Sequence, residues 1–357
     1  MRKPSSKVPQ HDAARPTAAV AAPVKNTINE IARLAGVSKK TVSRIINDSP
    51  LVREETREKV KALMLEVGYS PDPMARALAF RRSFLIGMVY DNPNAEYIVN
   101  MQNGALDSLR GTGFELVVHP CDSKHADYIE GVKRFAQQQK LHGVFLVPRV
   151  SEDQALVDML KDIGCRYVRI AAISLDEPER MITSNDRQGA IEVANYLESL
   201  GHRHIGLVTG PRRYLSTRER SAGFLEALAD RHLELPPEHI VEGGYTFESG
   251  VSCAEQLLAL TPRPTAIFAL NDEMAAGVYK AAYRLGLSVP EDLSVVGFDD
   301  SPIASRMWPS LTTVRLPIRD MGLQAAGMLL ADSAHPRQAP LIRPHLTKRE
   351  SCQPPKH

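Results

Sequence analysis

Cysteine is scarce in this chain. Four in 357 residues, Cys121, Cys165, Cys253 and Cys352, stand at least 44 positions apart, which excludes a disulfide framework, a CxxC redox pair and zinc-ligand spacing. Long apolar runs are lacking as well. No stretch approaches the roughly 18 consecutive apolar residues of a membrane span. Near the start, Ala18-Ala19-Val20-Ala21-Ala22 is ended by Pro23, short of the about 7–15 residues at the centre of a secretion signal. A cytoplasmic location with no membrane partner is therefore expected. There is no P-loop, and Gly111-Thr112-Gly113 leads from a helix into a strand, the wrong direction for a loop that cradles phosphate at a helix start. Ser, His and Asp are too scattered for a triad. No enzyme, no metal and no cofactor are expected.

A surplus of one charge is missing from the total, 44 Lys/Arg against 42 Asp/Glu, but not from its distribution. Residues 1–83 hold 16 basic and 8 acidic side chains, and residues 84–357 hold 28 and 34. A small basic head on a large, mildly acidic body points to a polyanion-binding module joined to something else. The length exceeds one ordinary core and suits two or three units of about 100–200 residues.

Residues 1–25, rich in Ala, Pro, Ser and Lys without apolar periodicity, read as a disordered basic tail. Thr27-Ile28-Asn29-Glu30 then fits a capping box, and Ile28, Ile31, Leu34 and Ala35 share one helical face. Gly36 breaks that helix, Ser38 can cap a second through Val42, Ile45 and Ile46, and a third apolar stripe, Val60-Leu63-Met64-Val67, ends at Gly68. Beyond residue 83, apolar runs alternate with helix-length amphipathic stretches: FLIGMVY (84–90), FELVV (114–118), GVFLV (143–147), YVRIAAI (167–173), HIGLVT (204–209), TAIFAL (265–270) and LSVVGF (293–298). Runs without polar alternation suit strands buried on both faces of a parallel sheet. So many βα units make two doubly wound lobes, with a ligand cleft where the strand carboxyl ends meet.

The densest motif is TINEIARLAGVSKKTVSRIIN, Thr27 to Asn47. A helix-turn-helix lays its second helix in the major groove. Here that helix begins at Ser38 and presents Lys39, Lys40 and Arg44 on one side, and Arg or Lys can address guanine O6 and N7. Thr27, Ser38, Thr41, Ser43 and Asn47 are short polar groups suited to phosphates.

AGVSKKTVSRIIN, VREETREKVKALMLEVGYSPDPMARAL, LESLGHRHIGLVTGP, STRERSAGF, NDEMAAGVYKA, VPEDLSVVGFDD, PSLTTVRLP and LTKRES follow one another in an order that resembles the lactose repressor/galactose repressor (LacI/GalR) family of bacterial transcription factors. The resemblance covers nearly everything after residue 26. It implies a helix-turn-helix head (26–71), a hinge helix (72–82) and a two-lobed body like periplasmic binding proteins. The lobes would comprise 83–184 plus 314–336, and 185–313 plus 337–352. Lys39, Lys40 and Arg44 would be the base readers, and Leu78, with Ala75 and Arg76, would enter the minor groove, where an apolar wedge kinks DNA. Arg220, Asp299, Asn271 and Tyr245 match effector-pocket positions; Asp91, with Asn92, ends the first strand of the body and could face the same cleft.

Two departures stand out: Arg53 where the family usually has a Ser capping the third helix, and Asn185-Asp186 in reversed order. The expected protein is a repressor at the bacterial nucleoid that binds double-stranded, pseudo-palindromic operator DNA as a homodimer, under a small effector. The six residues after Ser351 are too few for a tetramerising heptad tail. The effector class favoured is a sugar or sugar derivative, with a nucleobase or nucleoside as the alternative. A solute-binding protein would need a secretion signal and no head, and a sugar-metabolising enzyme would need a catalytic constellation. Trp308 is expected in an interface or a core rather than against a ligand.

Overall fold

The computed structural model describes residues 27–46, 49, 51–69, 83–331 and 341–356, so Asn47, the hinge residues Ala75, Arg76 and Leu78, and the N-terminal tail lie outside the described residues. The chain divides into two compact units, residues 1–76 and 77–357.

The first unit holds three helices, α1 (Ile28–Ala35), α2 (Lys39–Ile46) and α3 (Glu54–Glu66). Their apolar faces meet in one small core of Ile31, Ala32, Ala35, Val42, Ile45, Val60 and Met64. Leu34, placed on the inner face by periodicity, is exposed instead, and Ala32 takes its place. Only half of the expected capping box forms. Thr27 Oγ1 accepts from Glu30 N–H, but the Glu30 carboxylate pairs with Arg33 rather than turning back to Thr27. Gly36, at φ +69°, closes α1 in the left-handed region that glycine tolerates best. Ser38 Oγ accepts from Thr41 N–H at 3.0 Å and so caps α2. At α3 the substitution noted in the sequence has its structural counterpart: Arg53 sits at the cap with no side-chain bond to the helix.

The second unit contains two sheets. The first, in order β2-β1-β3-β4-β5, comprises β1 (Leu85–Tyr90), β2 (Glu115–Pro120), β3 (Gly143–Leu146), β4 (Arg166–Ala171) and β5 (Met181–Thr183), all parallel. The second runs β11-β10-β9-β8-β6-β7, with β6 (Ile205–Thr209), β7 (Ile240–Glu242), β8 (Ala266–Ala269), β9 (Ser294–Asp299), β10 (Thr312–Arg315) and β11 (His345–Thr347). Here β11 is antiparallel to β10, an exception to the expected all-parallel pairing. Strands β3, β6, β8 and β9 are buried throughout. The run around β2 is not, because β2 is an edge strand with Glu115, Val118 and Pro120 exposed.

Helices α4 (Ala95–Leu109), α5 (Tyr128–Gln138) and α6 (Gln154–Asp162) belong to the first sheet. Helices α7 (Asp186–Ser199), α8 (Leu215–Ala229), α9 (Phe247–Leu258), α10 (Asp272–Arg284) and the short α11 (Pro302–Arg306) belong to the second. The chain leaves the first lobe between β5 and α7 and returns after β10, when α12 (Ile318–Leu330) packs on α4. The expected 313/314 boundary thus falls inside β10, which pairs with β9 through Arg315. The α4–α12 contact is backbone on backbone: a Cβ on Gly322 would collide with the Met101 carbonyl, and one on Gly104 with that of Arg319. Trp308 is 90% exposed and belongs to no core.

Candidate functional site

The carboxyl ends of both sheets converge on one cleft, the place where doubly wound sheets bind ligands. From the first lobe come Asp91 after β1, Pro148, Arg149 and Glu152 after β3, Ala172 after β4, and Ser184 after β5. From the second come Asp186 and Arg220 on α7 and α8, Tyr214 and Tyr245 just before α8 and α9, Asn271 after β8, and Asp299 at the end of β9. The cavity in the cleft measures about 70 Å³, several times the roughly 10–15 Å³ that one water needs. All five residues proposed from sequence for an effector, Asp91, Arg220, Tyr245, Asn271 and Asp299, line this one cleft.

Their bonding differs from what their types alone suggest. Arg220 is buried, with Nε donating to Asp186 Oδ2 at 2.6 Å, Nη1 to the Leu270 carbonyl at 2.5 Å, and Nη2 3.4 Å from Asp299 Oδ1. Its guanidinium lies 3.7 Å from the Phe298 ring centre, a cation–π contact strengthened by desolvation. Burial opposes its charge, yet Asp186 and Asp299 outweigh that and hold its pKa above the ordinary arginine value. Asp299 is pushed the other way. Burial first, and the neighbouring Asp186 charge, raise its pKa to about 7 against the pull of Arg220.

Asp299 also has φ +113° and Asp300 φ +52°, two successive residues in a region that L side chains rarely adopt. Neighbouring bonds hold this turn. The Asp300 carboxylate accepts from Arg315 Nε at 2.6 Å and Arg349 Nη2 at 2.5 Å. Behind it, Asp272 accepts from Ser301 N–H and Oγ and from Thr313 Oγ1, at 2.7, 2.9 and 2.6 Å. Residues of GFDD, NDEMA, PSLTTVRLP and LTKRES thus meet to aim one carboxylate.

Asn271 caps α10, with Oδ1 accepting from Met274 N–H at 2.9 Å, and its amide donates to the Tyr245 carbonyl at 3.2 Å. The Tyr245 hydroxyl lies 2.7 Å from Thr217 Oγ1, and its ring stacks with Tyr214 at 6.0 Å between centres. Asp91 accepts from Ser123 N–H and Oγ and pairs with Arg149. Those bonds and the guanidinium outweigh burial, the largest opposing influence, and keep its pKa below the ordinary carboxylate value. Asn92 lines the cleft too, but its Oδ1 accepts from Asn94 N–H.

Sequence reasoning missed Arg149, Glu152, Tyr214 and the role of Asp186. The reversed Asn185-Asp186 pair was the available signal for Asp186, which enters α7 just after Asn185 at φ +54°. Arg149 and Glu152 follow a buried strand at and within a single 3₁₀ turn, Val150–Glu152, too short for periodicity to register. Glu152 accepts from Leu215 N–H at 3.2 Å, linking one lobe to the other, and burial raises its pKa to about 7.

In the separate helical unit, Lys39 and Lys40 are exposed and Arg44 half-buried on α2. Thr27 and Ser38 are exposed at the helix starts, while Thr41 and Ser43 are partly covered. No group of three or more His, Cys, Asp or Glu able to hold a metal occurs among the described residues, nor does any helix there long and apolar enough to cross a membrane.

Residues 27–72 match the family description "Bacterial regulatory proteins, lacI family", and residues 194–352 match "Periplasmic binding protein-like domain". The probable transcriptional repressor ExuR of Bacillus subtilis (strain 168) is 31% identical over 318 residues, covering 87% of this chain and 92% of its own length. Among solved structures, the lac repressor dimer bound to operator and the anti-inducer ONPF aligns with TM-score 0.74 and 28% identity, over 92% of this chain and 99% of that one. A complex of the transcriptional regulator CelR with cellobiose aligns with TM-score 0.68 and 29% identity, over 91% and 99%.

Proposed function

We propose that this chain, which belongs to the LacI family of bacterial regulatory proteins, joins an operator-reading head to a cleft that takes a small polar metabolite. It is a DNA-binding transcriptional repressor, not an enzyme. In the proposed arrangement Lys39, Lys40 and Arg44 read base edges, and Thr27, Ser38, Thr41, Ser43 and Asn47 hold phosphates. Leu78, with Ala75 and Arg76, enters the minor groove from a hinge that folds only on DNA. A helix so short is marginal in water alone, so its ordering would depend on correct DNA.

The observation that carries the effector half is the convergence of Asp91, Arg220, Tyr245, Asn271 and Asp299, from five separate stretches of sequence, on one cleft. Charged forks and carboxylates beside stacked Tyr214 and Tyr245 suit a sugar or sugar derivative: the polar groups engage hydroxyls and the rings cover an apolar face. A change in lobe closure would pass from the cleft to the hinges. The chain would act as a homodimer, since paired heads match a pseudo-palindrome. The exposed Trp308 and Tyr283, which line one groove on the second lobe, are suited to a copy of the chain itself.

Selection of binding sites from random duplex DNA by the purified full chain tests the whole reading. The expected product is a two-fold symmetric site whose binding responds to a small sugar. Recovery of an asymmetric sequence, or of none, would overturn it.

A further inference from the structure

Six carboxyl- or guanidinium-bearing side chains line the cleft: Asp91, Asp186, Glu152 and Asp299, the last two with pKa values raised to about 7, against Arg149 and Arg220. Four carboxyl groups therefore face two guanidiniums, and each guanidinium nitrogen already donates to or pairs with a protein group, leaving only the second N–H of each terminal nitrogen. Arg149 donates through Nε to the Asp91 carbonyl at 3.0 Å, through Nη1 to the Tyr214 hydroxyl, and pairs through Nη2 with the Asp91 carboxylate. Arg220 is engaged by Asp186, the Leu270 carbonyl and Asp299, as described above. The acceptors are less well served. Asp299, 6% exposed, has a buried Oδ1 whose one donor is Arg220 Nη2, at a long 3.4 Å and outside good hydrogen-bond geometry, and Glu152 accepts only the bond from Leu215.

The imbalance has a direct meaning for a ligand. A buried acceptor served by a single or poorly aligned donor gains when an incoming O–H or N–H reaches it. An incoming carboxylate or phosphate would lose its water, meet more carboxyl groups than guanidiniums, and compete for an arginine with the carboxylate that already holds it. Resting on the reading of this cleft as the effector site, we propose that it selects a neutral or amine-bearing polyol that donates to Asp299 and Glu152, and that Asp186, by holding Arg220, excludes acidic sugars and sugar phosphates. Asp186 is then a specificity determinant that need not touch the ligand. It stands in the reversed Asn185-Asp186 pair, so the departure in sequence and the selectivity have one origin.

The test is a thermal-shift screen of the full chain against three matched groups: neutral sugars with amino sugars and polyols, the corresponding uronic and aldonic acids, and the corresponding sugar phosphates. Saturable rises in Tm are expected from the first group alone, with affinity at least tenfold weaker in Asp299→Asn. In Asp186→Asn, which keeps the side-chain shape and releases Arg220, the preference for the neutral sugar over its uronic acid should shrink at least tenfold. If that variant does not fold, the wild-type screen still decides. A uronic acid or sugar phosphate that binds wild type more tightly than its neutral counterpart would overturn the proposal while leaving the effector reading intact. Silence from all three groups would overturn the effector reading itself, and this one with it.

Discussion

At the scale of single residues, the cleft shows how one side chain can serve both binding and scaffold. Arg220 was legible as a pocket residue from STRERSAGF and Asp299 from GFDD, but the pairing of Arg220 with Asp186 and Asp299 was not, because pairing across α7, α8 and β9 leaves no trace in local sequence. Replacing Arg220 with Ala leaves Asp186 and Asp299 buried without their cation. Breaking such a pair typically costs about 3–5 kcal/mol, so Arg220→Ala should lower the unfolding free energy of the body by about that much as well as abolish the effector response. Denaturant titration checks this; an unchanged midpoint would mean Arg220 is not the scaffold cation described.

Glu152 gives a pH prediction of definite sign. Its folded pKa, about 7, lies above the ordinary carboxylate value of 4.5. The folded state therefore holds its proton longer than the unfolded chain, and the associated stability, complete at low pH, is lost as pH rises from about 4.5 through about 7. His202, whose pKa burial lowers, acts oppositely near neutrality, so the informative quantity is a difference. Glu152→Gln keeps an acceptor for Leu215 N–H and should gain stability relative to wild type between pH 5 and pH 8. Parallel thermal melts give the answer, and curves that stay a constant distance apart would rule Glu152 out as the titrating group.

At the scale of elements, the long features were legible and the short ones were not. All seven apolar runs became strands, most because burial on both faces leaves an unbroken run that composition exposes directly; β2, at the sheet edge, is the exception. Strands β5, β7, β10 and β11 have three or four residues each, too few for a period, and they form through pairing with strands already in place. Helix ends were read more surely from chemistry than from periodicity: Gly36 and Gly68 both adopt positive φ at helix ends, whereas Leu34 failed its assigned face. The bare cap at Arg53 makes a test. Arg53→Ser should give α3 its missing acceptor and stabilise the head by roughly 0.5–2 kcal/mol, read as slower amide exchange in α1–α3. On α2, Arg44→Ala should weaken operator binding by about 1–3 kcal/mol and relax preference at one position per half-site. Uniform weakening on every sequence would make Arg44 a phosphate contact.

At the scale of the whole molecule, the unequal charge of head and body already separated the part that meets DNA from the part that does not. What sequence could not supply is the surface that would bring two copies together. Trp308 was expected in an interface or a core, and its 90% exposure removes the core. Tyr283, 77% exposed, lines one shallow groove with Trp308, Tyr279, Leu287, Val289 and Pro309. A tryptophan of about 150–250 Å² at about 25 cal/mol per Å² contributes roughly 4–6 kcal/mol when fully covered, so a charge there should act strongly on association and weakly on folding. Trp308→Glu combined with Tyr283→Glu should shift sedimentation from dimer to monomer at micromolar concentration while leaving the thermal melt of the body nearly unchanged. Operator affinity should fall further than affinity for an isolated half-site, because loss of pairing removes the second head from the complex rather than altering either head's contacts. A variant that remains dimeric would transfer the interface to another face, for which the exposed Val99 and Leu106 of α4 and Leu323 of α12 are the next candidates.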